Sequence, residues 1–238
     1  MAVAFGSISS IPTTASGSFG TGGLACPYPS GIVAGNPLIL FAKMATGTGT
    51  WTLPTTPTPP TPAWTQQKIN NNVLSDLGIV CYTRIASGSE SGTLNVSSGG
   101  TAGVEHICML RYTGNNTTTP IGSSALAVST STSTTSPTNG TVTPGPNDMV
   151  VRCYAVGQAS ASTSGTVTFP TGTGWTSRIN FFTVTSSHTN VGCIVVDKIA
   201  GTDTQTVTAN ATGAWGIIDI VIQAPSVAVP SSFMPYFL

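Results

Sequence analysis

Short apolar runs bounded by turn residues recur along the whole chain. LILFA (38–42), GIVCYTRIA (78–86), HICMLRY (106–112), MVVRCYA (149–155), CIVVDKIA (193–200) and IIDIVI (217–222) are rich in β-branched and aromatic residues. Gly, Pro, Asn or Ser flank them, so each predicts a buried strand. TLNVSS (93–98) and QTVTAN (205–210) alternate polar with apolar positions, the period-two pattern of a half-exposed antiparallel strand. No stretch carries the apolar spacing of a helix of three turns. Many short strands separated by turn signals predict an antiparallel β-sandwich.

The same blocks occur twice, in the same order. GNPLILFA (35–42) is followed by a Thr/Pro-rich stretch and a Trp-Thr at Trp64. PNDMVVRCYA (146–155) is followed by a Ser/Thr/Gly stretch and a Trp-Thr at Trp175. GIVCYTRIASG (78–88) matches GCIVVDKIAG (192–201), and GVEHICML (103–110) matches GIIDIVIQ (216–223). Aligned this way, Leu38 falls over Met149, Cys81 over Val195, Cys108 over Val221, Cys153 over Ala42 and Cys193 over Ile79. The expected fold is therefore all-β: an antiparallel jelly-roll-like β-sandwich over residues 1–225, built from an internal duplication. The pseudo-repeats span about 30–114 and 144–224; the halves could form two small sandwiches or two sheets of one, and one sandwich is expected because either half alone would have a thin core. Residues 226–238 form a separate C-terminal apolar arm. The Pro/Thr-rich run 53–65 reads as a stiff surface loop, and 126–145 as an edge-type strand followed by the connector between halves.

Composition narrows the function classes. Seven Lys/Arg and seven Asp/Glu give a net charge of zero and only 6% charged residues, against roughly 25% in an ordinary soluble domain. A chain this neutral is not a nucleic-acid binder that works by neutralising phosphates. With 39% hydrophobic residues it has the apolar content to fold. No apolar run is long enough for a transmembrane helix, so no membrane partner is expected. The N-terminus MAVAFGSISS lacks a basic region and an apolar core, so it does not read as a secretory signal, and synthesis in the cytoplasm is expected.

Candidate chemistry is sparse. Cys81, Cys108, Cys153 and Cys193 lie in apolar runs and fall over apolar residues in the other half, so they read as core fillers. Cys26, in CPYPSG, sits in a loop-like and potentially exposed context. His106 falls over Asp219 in the repeat and is expected to face solvent or an interface, while His188 reads as a loop residue. The carboxylates are scattered singly, and no nucleophile-elbow, zinc-protease or phosphate-loop motif occurs. No catalytic, cofactor or metal residues are assigned, and the protein is expected not to be an enzyme. Trp64 and Trp175 are repeat equivalents and read as structural plugs. Trp51 and Trp215 have no aromatic counterpart and are the candidate glycan contacts. Phe233, Met234, Tyr236, Phe237 and Leu238 in the arm are the candidate assembly contacts, since an uncharged aromatic tail left in water is a liability.

Several short motifs resemble a family of phage and prophage virion proteins of β-sandwich type. These are AVAFGS (2–7), the run Pro29-Ser30-Gly31-Ile32-Val33-Ala34-Gly35-Asn36-Pro37-Leu38-Ile39, the Trp-Thr at Trp64, YTRIA (82–86) and RYTG (111–114) leading to Pro120-Ile121. The second half repeats the theme with NDMVV, GWT and DKIAG. Asn36-Pro37 stands where an acidic turn residue is usual in that family. The resemblance implies a non-enzymatic virion structural protein, a capsid decoration (cement) or appendage subunit whose partners are other copies of itself and capsid or tail proteins. The second expectation is a glycan- or receptor-binding tail-fibre or carbohydrate-binding module using Trp51 or Trp215.

Overall fold

The computed structural model describes residues 2–9, 13–14, 24–45, 50–52, 63–74, 77–96, 104–129, 138–157, 167–168, 174–183, 191–200, 208–209 and 213–226. The described residues contain no helix; they form fifteen strands in antiparallel sheets. The first main sheet contains β1 (Ala4–Ile8), β4 (Pro37–Ala45), β5 (Thr65–Val73), β6 (Leu77–Ile85) and β8 (Val104–Thr113), in the order β1-β8-β4-β6-β5. The two-residue β2 (Thr13–Thr14) also pairs with β8. The second main sheet contains β9 (Ile121–Val128), β10 (Met149–Gly157), β12 (Thr176–Thr183), β13 (Val191–Ile199) and β15 (Ala214–Ile222), in the order β9-β15-β10-β13-β12. Two small ribbons complete the set: β3 (Leu24–Pro27) with β7 (Thr93–Val96), and β11 (Val167–Thr168) with β14 (Thr208–Ala209).

The two main sheets pack face to face. β10 lies over β4, β15 over β6 and β9 over β5. Between them lies one apolar layer to which both sheets contribute: Ile39, Phe41, Ile79, Cys81, Cys108 and Leu110 from the first, Val151, Cys153, Val195, Ile218 and Ile220 from the second. Gly216 lets β15 come close to β6, because a Cβ there would run into the Ile79 Cδ1. Alternate residues of the same strands point the other way. Leu38, Leu40, Val80, Tyr82 and Met109 meet Leu24, Cys26, Leu94 and Val96 of the β3–β7 ribbon, with Trp51 and Trp64. On the far side, Val150, Tyr154, Ile194, Val196 and Ile217 pack with Val142, Trp175 and Trp215. The central strands β6, β10 and β15 are consequently buried along nearly their whole length. That explains why they read as continuous apolar runs, whereas β7 alternates strictly between exposed and buried.

Each main sheet is made by its own half of the chain, so the connectivity differs from that of a single jelly roll, in which the chain passes back and forth between sheets. The strand orders of the two sheets correspond, with β4 in the place of β10, β5 of β12, β6 of β13, β8 of β15 and β1 of β9. Their irregularities correspond too. A bulge between Gln66 and Lys68 opposite Tyr82 and Cys81 has its counterpart between Ser177 and Ile179 opposite Val196 and Val195.

The ladder registers correct two of the sequence alignments. Phe41 pairs with Cys81 and Cys108, and Cys153 pairs with Val195 and Ile218. Cys153 therefore corresponds to Phe41 rather than Ala42, and Cys108 to Ile218 rather than Val221. Leu38 over Met149 is likewise out by one residue, since Leu38 faces the outer layer and Met149 the inner one. The slip is one residue between β4 and β10 and three between β8 and β15; an odd slip preserves the apolar match between two doubly buried strands while reversing every side chain, so apolar matching alone could not detect it. Cys81 over Val195 and Cys193 over Ile79 keep their faces.

Candidate functional site

The two halves present corresponding clefts at the same end of the sandwich, where β6, β8, β13 and β15 finish. One, of roughly 220 Å³, is lined by Ala63, Thr65, Gln67, Thr83, Arg84, Ile85, Pro120 and Ile121. The other, of roughly 340 Å³, is lined by Met149, Gly174, Thr176, Arg178, Asp197, Lys198 and Ile199. Strand register superposes the first six residues of one on Gly174 to Ile199 of the other, and the shared bulge turns Gln67 and Arg178 alike toward the neighbouring strand. Each then makes the same kind of bond. Gln67 Nε2 donates to Thr83 Oγ1 at 2.7 Å, and Arg178 Nε donates to Asp197 Oδ2 at 2.8 Å. One cleft is built around a neutral pair, the other around an ion pair.

The charged cleft also ties the sheets together. Tyr112 of β8 donates its hydroxyl to the same Asp197 oxygen at 3.0 Å, across the sheet interface. The Arg178 guanidinium lies 4.1 Å from the centre of the Phe5 ring in β1, and Phe5 meets Tyr112 edge-on at 5.7 Å. Burial, with the Asp197 carboxylate beside it, pushes the Tyr112 phenol well above its usual value, so it stays a hydrogen-bond donor. Its proton is committed to Asp197, whose other partner is the Arg178 guanidinium. The group clamps two sheets; it is not arranged to shuttle a proton.

Two further ion pairs face the outer layers. Arg152 grips Asp219 with two bonds, Nε to Oδ1 at 2.8 Å and Nη2 to Oδ2 at 3.1 Å, with both side chains at most 1% exposed. Asn139 donates to the same carboxylate, and the guanidinium stacks 4.5 Å from the Trp175 ring. Arg84 meets Glu90 at 2.9 Å, and Glu90 also accepts from Ser87 and Gly88 in the β6–β7 turn. Sequence reading missed these pairs. The available signal was a single charge in the middle of each of two apolar runs, Arg152 in MVVRCYA and Asp219 in GIIDIVI, because a buried charge requires a partner.

Several sequence expectations are corrected by burial. His106 does not face solvent or an interface between molecules. It is 1% exposed and faces the inter-sheet layer, 4.7 Å ring to ring from Phe181, with Lys43 opposite it on β4. Neither of its ring nitrogens has a hydrogen-bond partner among the described residues. Cys26 is fully buried rather than exposed, because β3 turns it under the first sheet, and burial raises its thiol to about 12. Trp51 and Trp215, the candidate glycan contacts, are 3% and 9% exposed within the outer layers, which leaves no ring face for a sugar to stack on. Trp64 and Trp175 are buried at corresponding positions, as plugs would be. All five cysteines are free and buried. Phe233, Met234, Tyr236, Phe237 and Leu238, His188 and most of the Pro/Thr-rich run 53–65 lie outside the described residues. Among the described residues no group of three His, Cys, Asp or Glu side chains is placed to hold a metal ion.

No family model, curated protein or solved structure matches this chain. The clefts are therefore read from their own chemistry.

Two outcomes are expected. Arg178→Gln leaves the Asp197 carboxylate buried without its cation and should cost about 1–3 kcal/mol in urea unfolding. Adding Asp197→Thr recreates the neutral pair of the other cleft and should recover most of that loss; a double variant no better than the single one would refute the equivalence. The second concerns acid. Burial, reinforced by Lys43, lowers the His106 pKa from 6.5 to about 2. The fold requires neutral imidazole, so His106 leaves stability intact above pH 6.5 and subtracts from it as pH falls toward the folded value. The loss should reach about 2 kcal/mol by pH 5 and be absent in His106→Leu. Equal slopes between pH 6.5 and 5 in both proteins would contradict this placement.

Proposed function

We propose that the chain is a non-enzymatic virion structural protein, a capsid decoration or appendage subunit that assembles with copies of itself and with capsid or tail proteins. The observation that carries this reading is where the charges go. Six of the fourteen charged side chains, Lys43, Arg84, Glu90, Arg152, Asp197 and Asp219, are spent inside the fold. At most eight remain for a surface otherwise supplied largely by Ser, Thr, Gly and Asn. A neutral surface lacks the like-charge repulsion that keeps protein molecules apart and favours dense association. The sequence motifs that resemble phage and prophage β-sandwich virion proteins support the same reading. So does the arm 226–238, which adds apolar contact area without charge.

The correspondence of strand order and bulge positions between the two sheets supports an internal duplication as the origin of the sandwich. Under that reading, the neutral and charged clefts are one ancestral position that diverged. The glycan-binding alternative rested on Trp51 and Trp215, and their burial removes the stacking surface it needs.

The test is location and retention on purified particles. Antibody labelling with electron microscopy should place the full chain on the shell or an appendage at regular positions. The variant lacking 226–238 should fold with an unchanged Tm and lose most of its occupancy. Absence of the full chain from particles would overturn the proposal; undiminished occupancy of the truncated chain would remove the arm from it.

A further inference from the structure

Four of the five cysteines, Cys81, Cys108, Cys153 and Cys193, belong to the single apolar layer between the sheets. Cys81 and Cys108 come from the first sheet and Cys153 and Cys193 from the second, and the thiols of Cys81 and Cys153 influence one another across the interface, as do those of Cys108 and Cys193. Cys81 lies mid-way along β6 and Cys153 mid-way along β10, and both are 0% exposed. Packed sheets are ordinarily about 10 Å apart. Here Cα atoms of β6 and β10 come within 8 Å of one another, and the small Ala155 and Gly216 line the same layer beside them. A disulfide spans a Cα separation of roughly 4.4–6.8 Å, so close approach of these two strands is the condition it needs.

We propose that Cys81 and Cys153 are a latent inter-sheet disulfide, a covalent tie between the two halves of the chain that forms when the chain folds in the presence of an oxidant. The co-reactant is a small-molecule disulfide. One cysteine thiolate attacks it, displacing one small thiol and leaving a mixed disulfide on the protein. The second cysteine, as thiolate, attacks the protein sulfur of that intermediate and displaces the other small thiol. The pair gives up two electrons and two protons, and the small disulfide is reduced to two thiols. Burial and the neighbouring thiol raise the Cys153 pKa well above its usual value, and the docked sheets exclude reagents, so the folded reduced protein exchanges slowly. The step therefore belongs to the interval before the sheets dock. A chain folded in a reducing compartment keeps both thiols, and one that opens and recloses in an oxidising medium becomes tied. This inference does not depend on the proposed function.

The experiment refolds the full chain from denaturant in mixed oxidised and reduced glutathione, with a parallel sample in reduced glutathione only. Peptide mapping by mass spectrometry without reduction is expected to find a Cys81–Cys153 linkage, with an intact mass lower by about 2 Da per bond formed. The tied protein should melt about 10 °C above the reduced one, as expected for closing a long loop in a chain of this size. Cys153→Ala should fold and show neither the linkage nor the shift. Five free thiols after oxidative refolding would overturn the proposal, as would a Cys108–Cys193 bridge with Cys81 and Cys153 left free. The mapping on the unmodified chain decides the matter even if Cys153→Ala folds poorly.

Discussion

Burial of both faces of the central strands is the constraint on which the rest of this structure depends. β6, β10 and β15 have no solvent side. An ordinary two-layer sandwich spends one face of each sheet on the core and leaves the other for charged and polar residues. Here the first sheet carries the β3–β7 ribbon and two tryptophans on its outer face, and the second carries Val142, Trp175 and Trp215. Three apolar layers are stacked across two sheets. Any charge on a central strand must then find its counter-charge inside, and Arg152 and Asp219 do so on adjacent strands at paired register positions.

The same constraint shapes the join between the halves. The inter-sheet layer is almost wholly apolar, and it is bounded by polar groups toward both of its ends. At the cleft end, Tyr112, Asp197 and Arg178 form a satisfied network that reaches from one sheet to the other. Nearer the opposite end, His106 and Lys43 are held in the layer with Phe181 against the imidazole. A fully bonded buried network favours one docking geometry, because any slip leaves polar groups without partners. A desolvated imidazole does the reverse under acid, since protonation places charge where there is no water. The join is thus strong near neutrality and sensitive to pH.

The sequence made the strands legible and left their faces obscure. The apolar runs correctly identified β4, β6, β8, β10, β13 and β15, and the alternation in TLNVSS correctly identified β7. Those runs, being apolar on both sides, carry no period-two signal from which to tell inside from outside. Apolar matching consequently sets Leu38 over Met149, and the alignment of His106 with Asp219 points it toward solvent or an interface. The structure shows that His106 faces the inner layer while Asp219 faces the outer one. The clefts were illegible for a different reason. Gln67 and Arg178 reach Thr83 and Asp197 because a bulge rotates them, and neither bulge has a Gly or Pro to mark it. The tryptophans illustrate a third limit: composition shows that Trp51 and Trp215 are available for stacking, and only packing shows that the layers already use them.

A protein with only fourteen charges, six of them inside the fold, has a surface suited to being covered, and the proposed role as a virion subunit rests on that economy. It requires the two halves to behave as one rigid body, since a subunit that opened between its sheets would expose the apolar layer that joins them. Calorimetry of the full chain at neutral pH tests this most directly. One shared inter-sheet core predicts a single transition whose van't Hoff and calorimetric enthalpies agree. Two resolved transitions, each accounting for about half of the enthalpy, would show that the halves fold independently and would contradict the account.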